Sequence, residues 1–235
     1  LYSAFTNSTI RFTNTITANI GVNAQYFQLN KNYSIEPRAG IKWQLQPKHS
    51  LGLAYGLHSR HEKLDYYFVT TPETGNKLPN KNLDFAKAHH IVLSYDWLIN
   101  ENTHLKIEPY FQYLYNVPVA KDNSFSIINH QDWYLNTALV NEGYGKNYGI
   151  DITLERYLAN GYYYLFTASV AESKYEAGEG ACRATLFQRN FLLTASGGKQ
   201  CKLRKQHQNI LNANLRPSLQ HRDPHSPLTA AAAQP

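Results

Sequence analysis

The sequence predicts an all-β chain: about ten antiparallel strands from the wall of a transmembrane β-barrel, with long external loops and short periplasmic turns. Three observations carry that prediction. Apolar and polar residues alternate over segments of roughly 9–13 residues. The connections between those segments alternate between short and long. Aromatic residues, 13% of the chain with 18 Tyr and 10 Phe, gather at the segment ends.

A first strand is expected near Ser3–Phe12. In the second, Ile16, Ala18, Ile20, Val22, Ala24 and Tyr26 alternate with Thr15, Thr17, Asn19, Gly21, Asn23 and Gln25. The third sets Ile35, Pro37, Ala39, Ile41, Trp43 and Leu45 against Glu36, Arg38, Gly40, Lys42 and Gln44. The fourth carries Leu51, Leu53, Tyr55 and Leu57, and the fifth Ile91, Leu93, Tyr95, Trp97 and Ile99. The sixth alternates Leu105, Ile107, Pro109, Phe111, Tyr113 and Tyr115 with Lys106, Glu108 and Gln112. The seventh opposes Tyr148, Ile150, Ile152 and Leu154 to Gly149, Asp151, Thr153 and Glu155. Tyr162, Tyr164, Phe166, Ala168 and Val170 mark the eighth, and weaker segments follow at Phe187–Ser196 and His207–Leu215. Strands of soluble proteins average about 5–6 residues, whereas a tilted membrane strand needs about 9–11. The lengths therefore favour the bilayer.

Short turns are expected at Thr13-Asn14, Gln46–His49, Asn100–Asn102 and Ala159–Gly161. Long polar stretches fill Ser59–Lys87 and Asn116–Asn147, with a medium one at Glu172–Ala184 and a short one at Asn30–Ser34. Outer-membrane barrels have this asymmetry, with the longer loops outside the cell. Trp43, Trp97, Tyr157 and Tyr162 then lie beside the short turns, while Tyr26, Phe27, Tyr113, Tyr115 and Tyr148 lie at the other strand ends. Two aromatic girdles would place them so. No stretch approaches the roughly 18 apolar residues of a membrane helix.

The polar side of the strands carries Glu36, Arg38, Lys42, Lys106, Glu108, Asp151 and Glu155, which a barrel would turn toward a wet lumen. A soluble sheet would turn them to water. The net charge of +6 arises without a basic helix or RNA-binding signature, so no nucleic-acid partner is expected. Cys182 and Cys201 fit no zinc spacing; a single bridge between them stays open. Leu1–Phe5 lacks the basic start and apolar core of a secretion signal, as expected if an exported chain had its N-terminus lost or processed. Residues 1–216 read as barrel wall. From Pro217 onward, Pro and Ala dominate, and 217–235 is expected to be an irregular tail that continues no paired strand.

No catalytic group is expected. Asp151, Glu155 and Glu108 share a side and suit an acid pair on paper, but ordinary lumen polarity accounts for them. His58 with His61 or the His89-His90 pair offers imidazoles for a metal, yet strand neighbours point to opposite faces. Ser59, Ser124 and Ser126 lack a framing motif, and Gly143-Tyr144-Gly145 lacks the strand-then-helix context of a phosphate loop. No cofactor or metal is expected. For binding, the exposed-loop aromatics Tyr66, Tyr67, Phe68, Trp133 and Tyr134 are the candidates.

Several segments in order resemble the barrel of TonB-dependent outer-membrane receptors of the kind found in Bacteroidetes. Glu36-Pro37-Arg38-Ala39-Gly40 looks like that family's E-P-R-x-G strand, and Ser50–Ser59 like the strand after it. Glu108–Val119 is similar to a strand entering a long external loop. Asn141–Asp151, Leu154-Glu155-Arg156, the turn Asn160-Gly161-Tyr162-Tyr163 and Ser173-Lys174-Tyr175 follow in the family's order. The likeness covers roughly residues 15–200. It implies part of a receptor that takes up an external ligand, with outer-membrane lipid around it. It also implies a TonB complex engaged through a plug domain that this chain does not contain. About 22 strands close such a barrel, so about ten supply only part of the wall. An outer-membrane barrel enzyme and a soluble sugar-binding β-sandwich are the competing readings.

Overall fold

The computed structural model describes residues 1–71, 75, 77–130, 134–186, 188, 190–204 and 207–220, with the backbone alone for 202–204 and 207–209. Strands β1 (Tyr2–Arg11), β2 (Ile16–Phe27), β3 (Asn32–Gln46), β4 (His49–Arg60), β5 (Ala86–Asn100), β6 (Thr103–Val119), β7 (Val140–Ala159) and β8 (Tyr162–Glu176) pair one after the next. β9 (Cys182–Ala184) is a short addition to β8, and β10 (Phe191–Arg204) pairs β8 and then β11 (His207–Leu215). β12 (Ser218–Gln220) lies against β10. All pairings are antiparallel, and the path of ten principal strands matches the sequence expectation. The sheet is a meander that does not close: β1 lies at one end of the path and β11 at the other.

The short turns fall where the sequence puts them. Asn160 and Gly161 both take left-handed backbone (φ 56° and 79°), the geometry of a tight primed hairpin turn for which Asn-Gly is suited. Thr13 Oγ1 accepts the backbone N–H groups of Thr15 and Ile16 at 3.1 and 3.0 Å, and Asn100 Oδ1 accepts that of Asn102 at 3.0 Å. At the opposite end lie the connections 28–31, 61–85, 120–139 and 177–190.

Two sequence expectations need correction here. The long stretch Asn116–Asn147 is partly strand, because β6 and β7 stay paired through Val119↔Val140. Val117 and Val119 are β-branched residues that suit a ladder. Gly143 completes the fit: a Cβ there would sit 2.8 Å from the Val117 carbonyl oxygen. Nor does Pro217 end the pairing. β11 and β12 face β10 in one continuous register, Gly197↔Leu215 and Thr194↔Ser218, with the Ala195 N–H donating to the Pro217 carbonyl. The proline withholds one donor, which an outermost strand tolerates. Residues 221–235 of the expected tail lie outside the described residues.

The sheet is apolar on the side that has nothing packed on it. Along one row Ile41 faces Leu53, which faces Leu93, and these are 45%, 48% and 47% exposed. Ile20, Ile91, Phe111, Tyr148, Phe166 and Val170 continue the same outward face. Trp43, Trp97, Tyr157 and Tyr162 are exposed beside the short turns. At the other end a ladder of rings runs Tyr55–His89–Tyr115–Tyr113–Tyr144, with centroids 5.2–6.3 Å apart.

The buried core sits elsewhere, in a cap at the long-connection end. Tyr66, Tyr67, Val69, Leu83 and Phe85 from the first long connection pack with Phe27, Val117, Ile127, Leu135 and Leu139. Phe27 was expected in the outer girdle beside Tyr26. As its neighbour it takes the opposite face, where it joins the cap at 5% exposure.

Candidate functional site

The polar face and the cap meet at the long-connection end, and the junction is organised by Glu36. Alternation on β3 turns Glu36 away from the outward stripe, and it is 1% exposed. Its carboxylate accepts Asn23 Nδ2 at 2.9 Å, Gln25 Nε2 at 2.6 Å, the Ser59 N–H at 3.2 Å and the Ser59 hydroxyl. Arg38 adds an ion pair at 3.0 Å. The ladder between β3 and β4 stops at Arg38↔Gly56, and beyond it Glu36 takes the place of a backbone acceptor for Ser59. One buried carboxylate thus ties three strand ends together, and charged hydrogen bonds make it a strong tie.

The other charges expected to face inward share that side. The registers set Glu108 opposite Asp151, Lys106 opposite Asp96 and Glu155 opposite His104. Lys106 pairs with Glu108 at 2.7 Å and His104 with Asp96 at 3.1 Å. Lys42 lies across from Gly52 on the same face. Higher on this wall, Asn147 Nδ2 donates to Gln112 Oε1 at 3.0 Å, and Ser173 Oγ donates to Asn147 Oδ1 at 2.6 Å. This arrangement makes a wetted, charged wall. Glu108 is engaged by Lys106 on its own strand.

Above the wall, the cap closes over a cavity of about 580 Å³ whose lining includes His58, Arg60, His61, Lys63, Tyr66 and His130. His61 stacks on Phe27 at 5.1 Å, and His130 meets Tyr66 and Phe125 edge-on at 5.7 and 5.5 Å. His58 and His61 therefore share a lining, but no cluster of three His, Cys, Asp or Glu among the described residues is placed to hold a metal. His89 and His90 separate as strand geometry requires: His89 stacks outward on Tyr55 and Tyr115, and His90 turns inward to His58 and Tyr110. Ser59 Oγ serves Glu36, and Ser126 Oγ accepts the Ile128 N–H. Cys182 and Cys201 are both free thiols.

The loop aromatics divide. Tyr67 is fully buried and Tyr66 is 4% exposed, both in the cap core. Phe68 and Tyr134 project outward at 53% and 74% exposure. Trp133 lies outside the described residues. Burial, with the Glu62 and Asp84 carboxylates nearby, holds the Tyr67 phenol above its ordinary pKa. Two asparagines that sequence patterning does not single out lock the long connections to each other. Fully buried Asn80 donates to the Thr137 carbonyl at 3.0 Å and accepts the Leu139 N–H at 2.8 Å. Asn141 accepts the Asp84 N–H at 2.8 Å and donates to the Asp84 and Asn116 carbonyls.

Against solved structures, this arrangement has clear counterparts. The FrpB iron transporter of Neisseria meningitidis superposes with a TM-score of 0.61 at 13% identity, over 91% of this chain and 32% of its own. The shared fold is a stretch of antiparallel β-barrel wall. The ferric yersiniabactin uptake receptor FyuA of Yersinia pestis gives 0.64 at 13% identity, over 93% of this chain and 33% of its own. The alcaligin outer-membrane receptor FauA of Bordetella pertussis gives 0.62 at 12%, over 94% and 37%. These neighbours are TonB-dependent receptors and transporters, not enzymes. The chain spans about a third of their length. No family model and no curated protein matches the sequence.

Proposed function

We propose that this chain is wall from the C-terminal barrel of a TonB-dependent receptor of the Bacteroidetes kind, lodged in the outer membrane and taking up an external ligand. The observation that carries the reading is the inverted polarity of the sheet. Large apolar side chains are exposed in unbroken rows on one face, while charged groups are paired and half-buried on the other. Water penalises the first arrangement, and a bilayer rewards it. The fold of the solved receptors supports the same assignment. On this reading the short turns face the periplasm and the cap faces outward. Glu36, Arg38, Lys42, Lys106, Glu108, Asp151 and Glu155 line the lumen. Phe68 and Tyr134 stand where an incoming ligand meets the cap, with Trp133 beside them in sequence, while Tyr66 and Tyr67 support them from within. A plug coupled to the TonB complex, in another part of the receptor, gates the passage.

Labelling of intact cells tests this. With Cys182 and Cys201 replaced by serine, Tyr134→Cys should react with a membrane-impermeant maleimide on whole cells, and Lys48→Cys only after the outer membrane is permeabilised. Equal labelling of both in whole cells, or recovery of the protein in the aqueous fraction without detergent, would sink the reading.

A further inference from the structure

The wall forks between β3 and β4. Below the fork the two strands are laddered from Gln46↔His49 up to Arg38↔Gly56. Above it β3 stays paired with β2 as far as Asn32, and β4 stays paired with β5 as far as Arg60, but no ladder joins the two. A proline explains where the fork begins. An antiparallel strand directs the N–H and C=O of alternate residues to the same neighbour. Those of Ser59 face β3, because Glu36 accepts its N–H and Gln25 Nε2 reaches its carbonyl at 3.4 Å; those of Leu57 therefore face β3 as well. Continuing the register by one residue sets Pro37 opposite Leu57, and proline has no donor to give. Side chains cross the fork instead. Glu36 and Gln25 hold Ser59, Phe27 stacks on His61 at 5.1 Å, and Asn30 Nδ2 donates to the Leu83 carbonyl at 2.7 Å. Ser34, on the β3 side of the fork, is 2% exposed and its hydroxyl has no partner among the described residues.

The cavity beneath the cap lies on one side of this fork. His58, Ser59 and Arg60 from the upper end of β4 line it, with Ala86 and Ala88 from the upper end of β5, and no described residue of β2 or β3 does. Ser59 thus belongs both to the cavity and to the tie across the fork. We propose that the fork is the way into the cavity and that Glu36 is its latch. When the carboxylate releases Ser59, the upper ends of β2 and β3 swing from β4 and open the side of the cavity, while β4 and β5 keep its lining in register. This opening breaks side-chain ties and no ladder bond, so it is a local event that leaves the rest of the wall paired. That a ligand uses the opening rests on the receptor reading; the opening itself does not.

The test uses the full-length receptor in detergent, with Cys182 and Cys201 replaced by serine and Val117→Cys as the reporter. Val117 lines the cavity from β6 at 2% exposure, so a small cationic methanethiosulfonate reaches a thiol there only when the cavity opens. Glu36→Ala should speed the modification at least about tenfold, the worth of one lost charged hydrogen bond. Pro37→Val restores a donor facing Leu57 and should slow it. Through both, the His58 and Arg60 amides, which face β5, should keep their hydrogen-exchange protection. An unchanged rate in Glu36→Ala with that protection kept would show that the cavity is entered elsewhere. A faster rate with protection lost at His58 and Arg60 would mean strand unfolding and overturn the fork. If Glu36→Ala does not fold, Gln25→Ala removes the weaker tie to Ser59 and should give a smaller rise. No rise there, with no slowing in Pro37→Val, would also overturn the proposal. Neither readout depends on lipid contact or on which end faces outward, so the fork and the receptor reading fail separately.

Discussion

The wall and the cap of this molecule turn their large apolar side chains opposite ways, outward in the wall and inward in the cap. In the wall, Ile41, Leu53 and Leu93 stand nearly half exposed, and on the proposed reading they contribute when lipid covers them. In the cap, Phe85 and Tyr67 are withdrawn from solvent entirely, packed as in any water-soluble domain. The comparison shows that one chain can carry two separate hydrophobic economies. The strands satisfy their backbone groups through the ladder and, on the proposed reading, leave their outward side chains to the bilayer. The long connections carry little ladder beyond the extended β6–β7 pair and the short β8–β9 pairing, and hold together by a small core and the side-chain clamps of Asn80 and Asn141. Damage in one region should therefore leave the other standing.

The largest effect should come from the cap. Phe85 is 1% exposed and meets Phe27 at 6.4 Å, so Phe85→Ala removes a large ring from the centre of the cluster. Such truncations cost about 3–5 kcal/mol. Hydrogen exchange on the full receptor should show amides of Tyr66–Val69 and Val117–Ala120 opening faster, with amides of β4 and β5 unchanged. Equal acceleration in both places would mean that cap and wall are one cooperative unit.

The wall should answer next. Leu93 lies at the middle of β5 on the outward face, and Leu93→Arg places a charge near the bilayer centre, where it costs about 2–4 kcal/mol. Thr167 faces the other way, between Thr153 and Thr194, and Thr167→Arg should change stability by no more than about 0.5 kcal/mol. Denaturant unfolding in lipid vesicles reads both. If the two substitutions cost the same, the outward face does not meet lipid.

The wall was legible in the sequence because its rule is local. Alternation names a face without knowledge of any partner strand, so the rows from Ile16 to Val170 and the turns at Thr13-Asn14 and Asn160-Gly161 lie where patterning puts them. Phe27 shows the limit: one step of register separates a girdle ring from a cap ring, and composition alone does not choose. Glu36 looked like one lumen charge among seven. Its special place comes from the ladder ending at Arg38↔Gly56, which is a property of the pairing and not of the residue. Tyr66 and Tyr67 were candidates for ligand contact because they lie in a loop. Their burial depends on Phe85 and Leu139, whose approach only the fold decides. Asn80 and Asn141 were invisible for the same reason. A polar residue in a polar stretch carries no sign that it will bridge to a segment nearly sixty positions away.

Tyr67 gives the finest way to separate the two regions, because pH acts on the cap through it. Its phenol is buried, accepts the Glu62 N–H at 3.2 Å, and is held above the ordinary tyrosine pKa. The folded cap therefore resists ionisation, while an opened cap loses the proton at an ordinary value of about 10. Below that value Tyr67 is neutral in both states and its contribution to cap stability does not change with pH. Above it the opened state gains from ionising first, so cap stability falls as pH rises from about 10 toward the raised value. Hydrogen-exchange protection, corrected for the intrinsic rate, should decline in Tyr66–Val69 over that window, and Tyr67→Phe should flatten the decline. Of the outward ladder, Tyr55 and Tyr144 are exposed and Tyr113 and Tyr115 half-buried, and none belongs to the cap cluster, so protection of the β4 and β5 amides should fall less than that of Tyr66–Val69 over the same window. A decline shared equally by cap and wall, or one that persists in Tyr67→Phe, would show that alkaline loss comes from another group.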